Sequence, residues 1–349
     1  MRGFYPPGLS RESRALAAPD RRAKILESER RKRMRKKPLG GSGIEVPPVV
    51  LGGNVFGWTA DKDTSFRLLD AALDAGLNAI DTADVYSAWA PGHKGGESET
   101  VIGEWLRARP GRRKDVVILT KCGMEMPGQG KGLSPEWISR AAEASLKRLG
   151  VERINLYQAH RDDEAVPLEE TLGAFAKLMD EGKVGAIGAS NYTAPRLEAA
   201  LEASARDGLP RFESLQPHHN LMERGIEADL LPLCREKGLG VIPYFALAAG
   251  FLTGKYRSEA DLGKSRRGER SAKQYLNERG MRVLAALDEA AARLGATPAQ
   301  VALAWQAAKP GMTASIASAT SEAQLSELVK AADLRLDEEA VRALDSAST

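Results

Sequence analysis

Four residues of types that move protons stand at the ends of apolar runs. Asp81 and Tyr86 lie together in Gly76-Leu-Asn-Ala-Ile-Asp81-Thr-Ala-Asp-Val-Tyr86, Lys121 closes Val116-Val-Ile-Leu-Thr-Lys121, and His160 closes Ile154-Asn-Leu-Tyr-Gln-Ala-His160. A fourth run, Val184-Gly-Ala-Ile-Gly-Ala, ends in Ser190-Asn191. A tyrosine hydroxyl ordinarily ionises near pH 10, roughly, so it serves as an acid only where something stabilises its phenolate. Lys121 supplies that charge, Asp81 can hold the ammonium in place, and His160 can hydrogen-bond and orient a substrate oxygen. None of the four is an acyl nucleophile, and there is no serine in a G-x-S-x-G elbow. The chemistry this set supports is proton donation to an oxygen while a hydride arrives at its carbon, and a hydride requires a cofactor.

Such residues act together only if the fold places their strand ends side by side. From Leu39 onward short apolar runs alternate with amphipathic helical patterns, which predicts strands over 46–53, 78–80, 116–121, 154–160, 184–190, 212–216, 240–244 and 314–317. Helices are predicted over 63–75, 97–107, 134–149, 168–181, 194–205, 226–237, 272–294, 298–308 and 322–332. Eight strand-helix units with right-handed crossovers close as an α/β (β/α)8 TIM barrel, a single domain whose catalytic face is where strands end and loops to helices begin. An open doubly wound sheet would carry a glycine-rich phosphate loop after its first strand, and no G-x-G-x-x-G occurs. Gly263-Lys-Ser resembles the tail of a P-loop, but Ser258 stands where the first glycine is required.

The 349 residues, 43% hydrophobic and 28% charged, suit a globular protein with a sizeable core, and a net charge of +3 points to no acidic partner. Most of the excess is the run Arg30-Arg-Lys-Arg-Met-Arg-Lys-Lys37. Residues 1–37 are therefore expected to form a basic, disordered N-terminal extension, with the barrel over 38–349. Because Met34 precedes Arg-Lys-Lys-Pro-Leu-Gly, the first 33 residues also fit an over-extended gene start. Cys122 and Cys234 have no metal-ligand spacing, so no metal and no disulfide framework is expected. With no membrane-length apolar stretch and no secretory core, the expected location is the cytoplasm, without membrane or nucleic-acid partners and with the oligomeric state open.

In the order Asp81, Tyr86, Lys121, His160 the chain resembles the aldo-keto reductases over nearly all of 38–349. The likeness continues through Ser190-Asn191, Gln216 in Leu215-Gln-Pro, and Tyr244 followed by Gly250-Phe-Leu-Thr-Gly-Lys-Tyr256. The resemblance implies an NAD(P)H-dependent reductase of aldehydes or ketones, its small-molecule carbonyl substrate protonated by Tyr86. It also implies that Ser190, Asn191 and Gln216 hydrogen-bond the nicotinamide carboxamide and that Tyr244 stacks on its ring. Leu247, Gly250, Leu252, Gly254 and Lys255 would follow the pyrophosphate, while Ser318, Thr320 and Gln324 would meet the adenosine end. NADPH is the cofactor so implied, with NADH as the alternative, because Thr320 stands where the family often has a basic residue and Leu328 where it has Asn. The sequence also reads Pro-Tyr-Phe-Ala-Leu where many relatives have Ser-Pro after the tyrosine.

Trp58 and Trp89 are candidate substrate contacts, and His93 shares their loop region. His218 and His219, beside Gln216, read as supporting residues, and Cys122 as an inert thiol in the barrel wall. A second reading keeps fold and cofactor but makes the chain a regulatory subunit, as in the potassium-channel beta subunits that resemble this family.

Overall fold

The computed structural model describes residues 34–265 and 271–349. The expected N-terminal extension lies, through residue 33, outside the described residues. The described residues open with a two-stranded antiparallel hairpin, β1 (Lys37–Pro38) and β2 (Glu45–Val46). Eight parallel strands follow: β3 (Val49–Gly52), β4 (Ala79–Asp81), β5 (Val117–Cys122), β6 (Ile154–Ala159), β7 (Val184–Ser190), β8 (Phe212–Gln216), β9 (Gly240–Val241) and β10 (Ser315–Ala317). Their order places β10 beside β3 and runs consecutively to β9. The ring closes where Thr313 N–H donates to Val241 O at 2.9 Å and Ile316 N–H to Pro243 O at 2.9 Å. This is the (β/α)8 barrel that the alternation of patterns predicts.

Alternate residues of each strand explain what fills the barrel. Leu119 lies inside with Val50, Ala79, Leu156, Ala186, Ile242, Ala314 and Ile316, while Ile118 and Cys122 face outward among the helices. With a period of two, the residues one step above that apolar layer also face inward, and these include Asp81, Lys121 and Gln158, with Ser190 one step higher again on β7. The polar site is thus the top layer of the barrel's own filling. The bottom is plugged by the hairpin, whose Leu39 and Val46 are fully buried against the same cluster.

The hairpin corrects the single strand expected over 46–53. Pro47 and Pro48 have no N–H to give a ladder, so pairing stops after Val46 and resumes at Val49. Gly40, at φ +57°, makes the turn, and a Cβ there would sit 2.1 Å from the Glu213 carbonyl.

The surrounding helices are α1 (Lys62–Ala75), α2 (Glu97–Ala108), α3 (Pro135–Leu149), α4 (Leu168–Asp180), α5 (Ala194–Asp207), α6 (Leu230–Glu236), α7 (Glu278–Leu294), α8 (Pro298–Ala308), α9 (Glu322–Asp333) and α10 (Glu338–Ala347). Their starts are written in the sequence: Ser134 caps Trp137 N–H with Pro135 at the first helical position, and Thr297 and Gln300 form a capping box. The expected helix over 226–237 is instead a short 3-10 turn, Gly225–Glu227, followed by α6. The one expected over 272–294 begins only at Glu278, where Asn277 caps Gly280 N–H. The strand expected over 240–244 pairs continuously only at Gly240–Val241, because Pro243 has no N–H for a ladder, although Tyr244 still bridges His218. Helix α10 was not expected; Ala340 and Leu344 seat it on the cluster around α7 and α8, and Trp305 Nε1–H donates to Asp345 Oδ1 at 3.0 Å.

Candidate active site

Strand register brings three members of the set into contact. Asp81 pairs with Leu119, so Lys121, two residues further along β5, leans over the top of β4. Its Nζ donates to Asp81 Oδ2 at 2.8 Å, to the Thr82 carbonyl at 2.7 Å and to Tyr86 Oη at 2.9 Å. Tyr86, in the loop after β4, donates to Asp81 Oδ2 at 3.2 Å, and the Lys121 ammonium also lies 4.5 Å from the centre of its ring. The other carboxylate oxygen, Asp81 Oδ1, accepts from Gln216 Nε2 at 2.8 Å. A fully buried ammonium is tolerable only because two oxygens and a carboxylate surround it. Burial lowers its pKa below that of an ordinary lysine, and the Asp81 charge opposes the shift.

His160, just past β6, places its ring 5.9 Å from that of Tyr86. Burial, and then the charges of Lys121 and Arg161, hold its pKa well below 6.5, so the imidazole is neutral at pH 7. Its Nδ1 is buried with no hydrogen-bond partner among the described residues. The remaining polar residues brace one another. Ser190 Oγ donates to the Gln216 carbonyl at 2.8 Å, and Asn191, in a left-handed conformation at φ +56°, donates to the His160 carbonyl at 2.8 Å. Tyr244 Oη donates to Asn191 Oδ1 at 2.8 Å, and His218 stacks behind the Tyr244 ring at 5.2 Å and 12°.

The site opens into a cavity of about 920 Å³, large for a small-molecule site. Trp58, Trp89, Met124, Arg161 and Phe245 line it together with Asp81, Tyr86, His160, Asn191, Gln216 and Tyr244. It continues past Leu247, Gly250 and Lys255 to Ser318, Thr320 and Gln324. Leu252, Gly254 and Ser190 do not line it: Leu252 and Ser190 are buried, and Gly254 makes a left-handed turn at φ +78°. The chemistry along this channel changes in an order that suits a dinucleotide. Amides and an aromatic face stand beside the tetrad of Asp81, Tyr86, Lys121 and His160. Next comes backbone with positive φ at Ala248, Ala249 and Gly250, a concave arrangement that suits oxyanions. The far end holds Lys255, Lys264 and the N-terminus of α9.

The model of the Aldo/keto reductase family matches residues 48–349. The chain belongs to the aldo/keto reductase family. An uncharacterized oxidoreductase of Bacillus subtilis, YrpG, is 38% identical over 318 residues, covering 88% of this chain and 94% of that protein. A probable voltage-gated potassium channel subunit beta of Arabidopsis thaliana is 34% identical over 308 residues, covering 86% of this chain and 92% of its own. A versiconal hemiacetal acetate reductase of Aspergillus parasiticus is 30% identical over 334 residues, covering 88% and 95%. This aldo-keto reductase has, among its described residues, no helix long and apolar enough to cross a membrane and no cluster fit to hold a metal ion.

Several cavity residues escaped the sequence reading. Lys264 and Ser265 reach the cavity from the long loop after β9, where sequence shows only a discarded phosphate-loop likeness. Asn54 accepts from Ser318 Oγ at 2.6 Å, and Glu327 accepts from Thr297 at 2.7 Å and Gln300 at 2.8 Å. Their partners are remote in the chain, so no local pattern marks them. His93 does not line the cavity. His219 is fully buried between Glu227, at 2.9 Å, and Gln306, a structural histidine. Burial pushes the Cys122 thiol far up, as befits an inert group in the wall.

Proposed function

We propose that this aldo-keto reductase reduces aldehydes or ketones to alcohols, with NADPH lying along the cavity and Tyr86 as the proton donor. The observation that carries this reading is the Lys121 ammonium, 2.9 Å from Tyr86 Oη and 2.8 Å from Asp81 Oδ2, at the floor of a cavity of about 920 Å³. When bound there, a reduced nicotinamide would supply the hydride that the carbonyl carbon takes up. Tyr86 Oη gives its proton to the carbonyl oxygen, and Lys121 stabilises the phenolate left behind. Asp81 keeps Lys121 aimed at that oxygen. Neutral His160 hydrogen-bonds the substrate oxygen and orients it toward Tyr86.

The residues that would hold the cofactor are those of the channel. Gln216 spends both N–H bonds on Asp81 and Gln158, so its Oε1 is the end offered to a carboxamide. Tyr244, fixed by Asn191 and His218, presents a flat aromatic face. Lys255 and Lys264 suit phosphate oxygens. The decisive experiment follows loss of NADPH absorbance with a panel of aldehydes and ketones. Tyr86→Phe should keep cofactor affinity and lose about 10² to 10⁴ of turnover. A variant that keeps more than about a tenth of the rate would remove Tyr86 as the general acid.

The relative named as a potassium channel subunit beta favours a second reading, a cofactor-binding regulatory subunit. An intact tetrad fits both. Tight NADPH binding with no turnover across the whole panel would decide for the subunit.

A further inference from the structure

His160 is followed by a residue that the proton relay leaves without a task. Arg161 lines the cavity at its mouth, is exposed, and makes no hydrogen bond or ion pair with any described residue. Of the three acids that follow it, none pairs with it, and Glu164 is exposed without an ion pair among the described residues. Asp162 holds Arg196 through two bonds of 2.6 and 3.0 Å, and Asp163 accepts from the N–H groups of Leu133 and Ala165. Asp81 is committed to Lys121, and Glu327 lies toward the other end of the cavity, beside Gln324 and bound by Thr297 and Gln300. The guanidinium is close enough for its charge to act on both His160 and Tyr244. Among the described residues this planar cation is therefore unpaired, and it lines the cavity next to His160.

The walls beside it are apolar. Trp58 and Trp89 meet edge to face at 5.7 Å, with Met124 and Phe245 lining the same cavity. Trp89 at 40% and Phe245 at 45% are two of the three large hydrophobic side chains exposed among the described residues, so most of that exposed apolar surface is gathered at this opening. Solvent-exposed aromatic rings collected around a cavity mark a surface that a ligand covers.

On the carbonyl-reductase reading above, we infer that Arg161 is a specificity-determining residue, selecting carbonyl substrates that carry a carboxylate on an aromatic or otherwise apolar body. The guanidinium fork matches the two oxygens of a carboxylate, a match that neither a lysine nor an apolar residue reproduces. The indole walls take the body of the substrate, while His160 and Tyr86 take its carbonyl oxygen. Because the guanidinium is exposed, the gain is screened by solvent, and about a tenfold preference is expected, falling as salt is added.

The test compares para-carboxybenzaldehyde with para-methylbenzaldehyde, which differ little in size. In the wild type kcat/KM should be about tenfold higher for the carboxylate. Arg161→Ala should bring the ratio near one by raising KM for the carboxylate, and Arg161→Lys should restore part of it. A ratio near one in the wild type, or one that survives Arg161→Ala, overturns the inference. If the wild type reduces neither of these compounds nor any other of the aldehyde and ketone panel, the carbonyl-reductase reading falls, and the inference is judged by binding alone. Quenching of tryptophan fluorescence by the two compounds, with NADP+ present, then reads their affinities. A preference for the carboxylate that Arg161→Ala removes upholds the anion site, and equal affinities overturn it.

Discussion

Two buried or half-buried side chains near the site owe their charge state to burial. His160 is held neutral well below pH 6.5, so kcat/KM for carbonyl reduction should stay level as pH falls to 6.5, with its acid limb at lower pH. A limb centred at or above pH 6.5 that disappears in His160→Ala would contradict this. Asp84, between Asp81 and Tyr86, is 1% exposed, and among the described residues its carboxyl oxygens find no donor of good geometry beyond a weak local contact with Val85 N–H. Burial first, and then the Glu99 charge, raise its pKa from 3.8 to about 8. Between those values the folded state holds a proton that the unfolded state has released. This group's contribution is thus fully present below the unfolded pKa and is lost as pH rises toward the folded one, by about 1.4 kcal/mol per pH unit. Asp84→Asn keeps the shape without the ionisation. Its melting temperature should gain on the wild type at pH 8 relative to pH 5, and equal differences at the two pH values would show that Asp84 is not the group responsible.

At the scale of elements, the loop that carries Asp84 and Tyr86 is backed by the contact between α2 and α3. Glu99 is fully buried on α2, where it accepts from Thr120 Oγ1 at 2.6 Å and pairs with Arg148 Nε of α3 at 2.6 Å. That proximity depends on Gly103, since a Cβ at this position would fall 2.0 Å from the Arg148 carbonyl. In an isolated helix Gly→Ala stabilises by about 1 kcal/mol. Here the sign should reverse, with Gly103→Ala destabilising by about 1 to 3 kcal/mol as the two helices are forced apart. Denaturant unfolding measures it directly, and an unchanged or raised midpoint would mean that α2 can shift without cost.

For the whole molecule, the long loop after β9 decides what the far end of the cavity recognises. The loop after β10 has only hydroxyls to offer, from Ser318 and Thr320, and Thr320 Oγ1 is turned toward Gln324 at 3.2 Å. Lys264 lines the same cavity, tethered to Asp261 at 2.7 Å and to the Lys255 carbonyl at 3.2 Å. One exposed lysine beside hydroxyls, counted among the described residues, should give a preference for NADPH over NADH of less than about 100-fold. Lys264→Ala should raise KM for NADPH about tenfold, with kcat and the NADH constants nearly untouched, and Thr320→Arg should restore discrimination. If Lys264→Ala leaves the cofactor ratio as it was, the 2'-phosphate is met elsewhere.

The eight-unit alternation and the order Asp81, Tyr86, Lys121, His160 were legible in the chain, because strand period, capping residues and loop entry are local properties. The inward parity of Asp81 and Lys121 follows from the same period of two, since each stands two residues beyond an apolar position that fills the barrel. Other features depended on distant partners. The two prolines after Val46 are visible, but that they turn the first strand into a plug under the barrel follows only from Leu39 and Val46 finding the apolar layer beneath Leu119 and Leu156. Lys264 looked like loop, and the closure of the ring at Pro243 and Ile316 is what carries that loop over the cavity. Arg161 is one cation among 50 in the sequence. Only the packed structure shows Asp162 taken by Arg196 and Asp163 by backbone, which leaves that guanidinium facing the site. Periodicity records which side of an element is buried, and pairing across the barrel, set by register and ring closure, determines what each buried or exposed group meets.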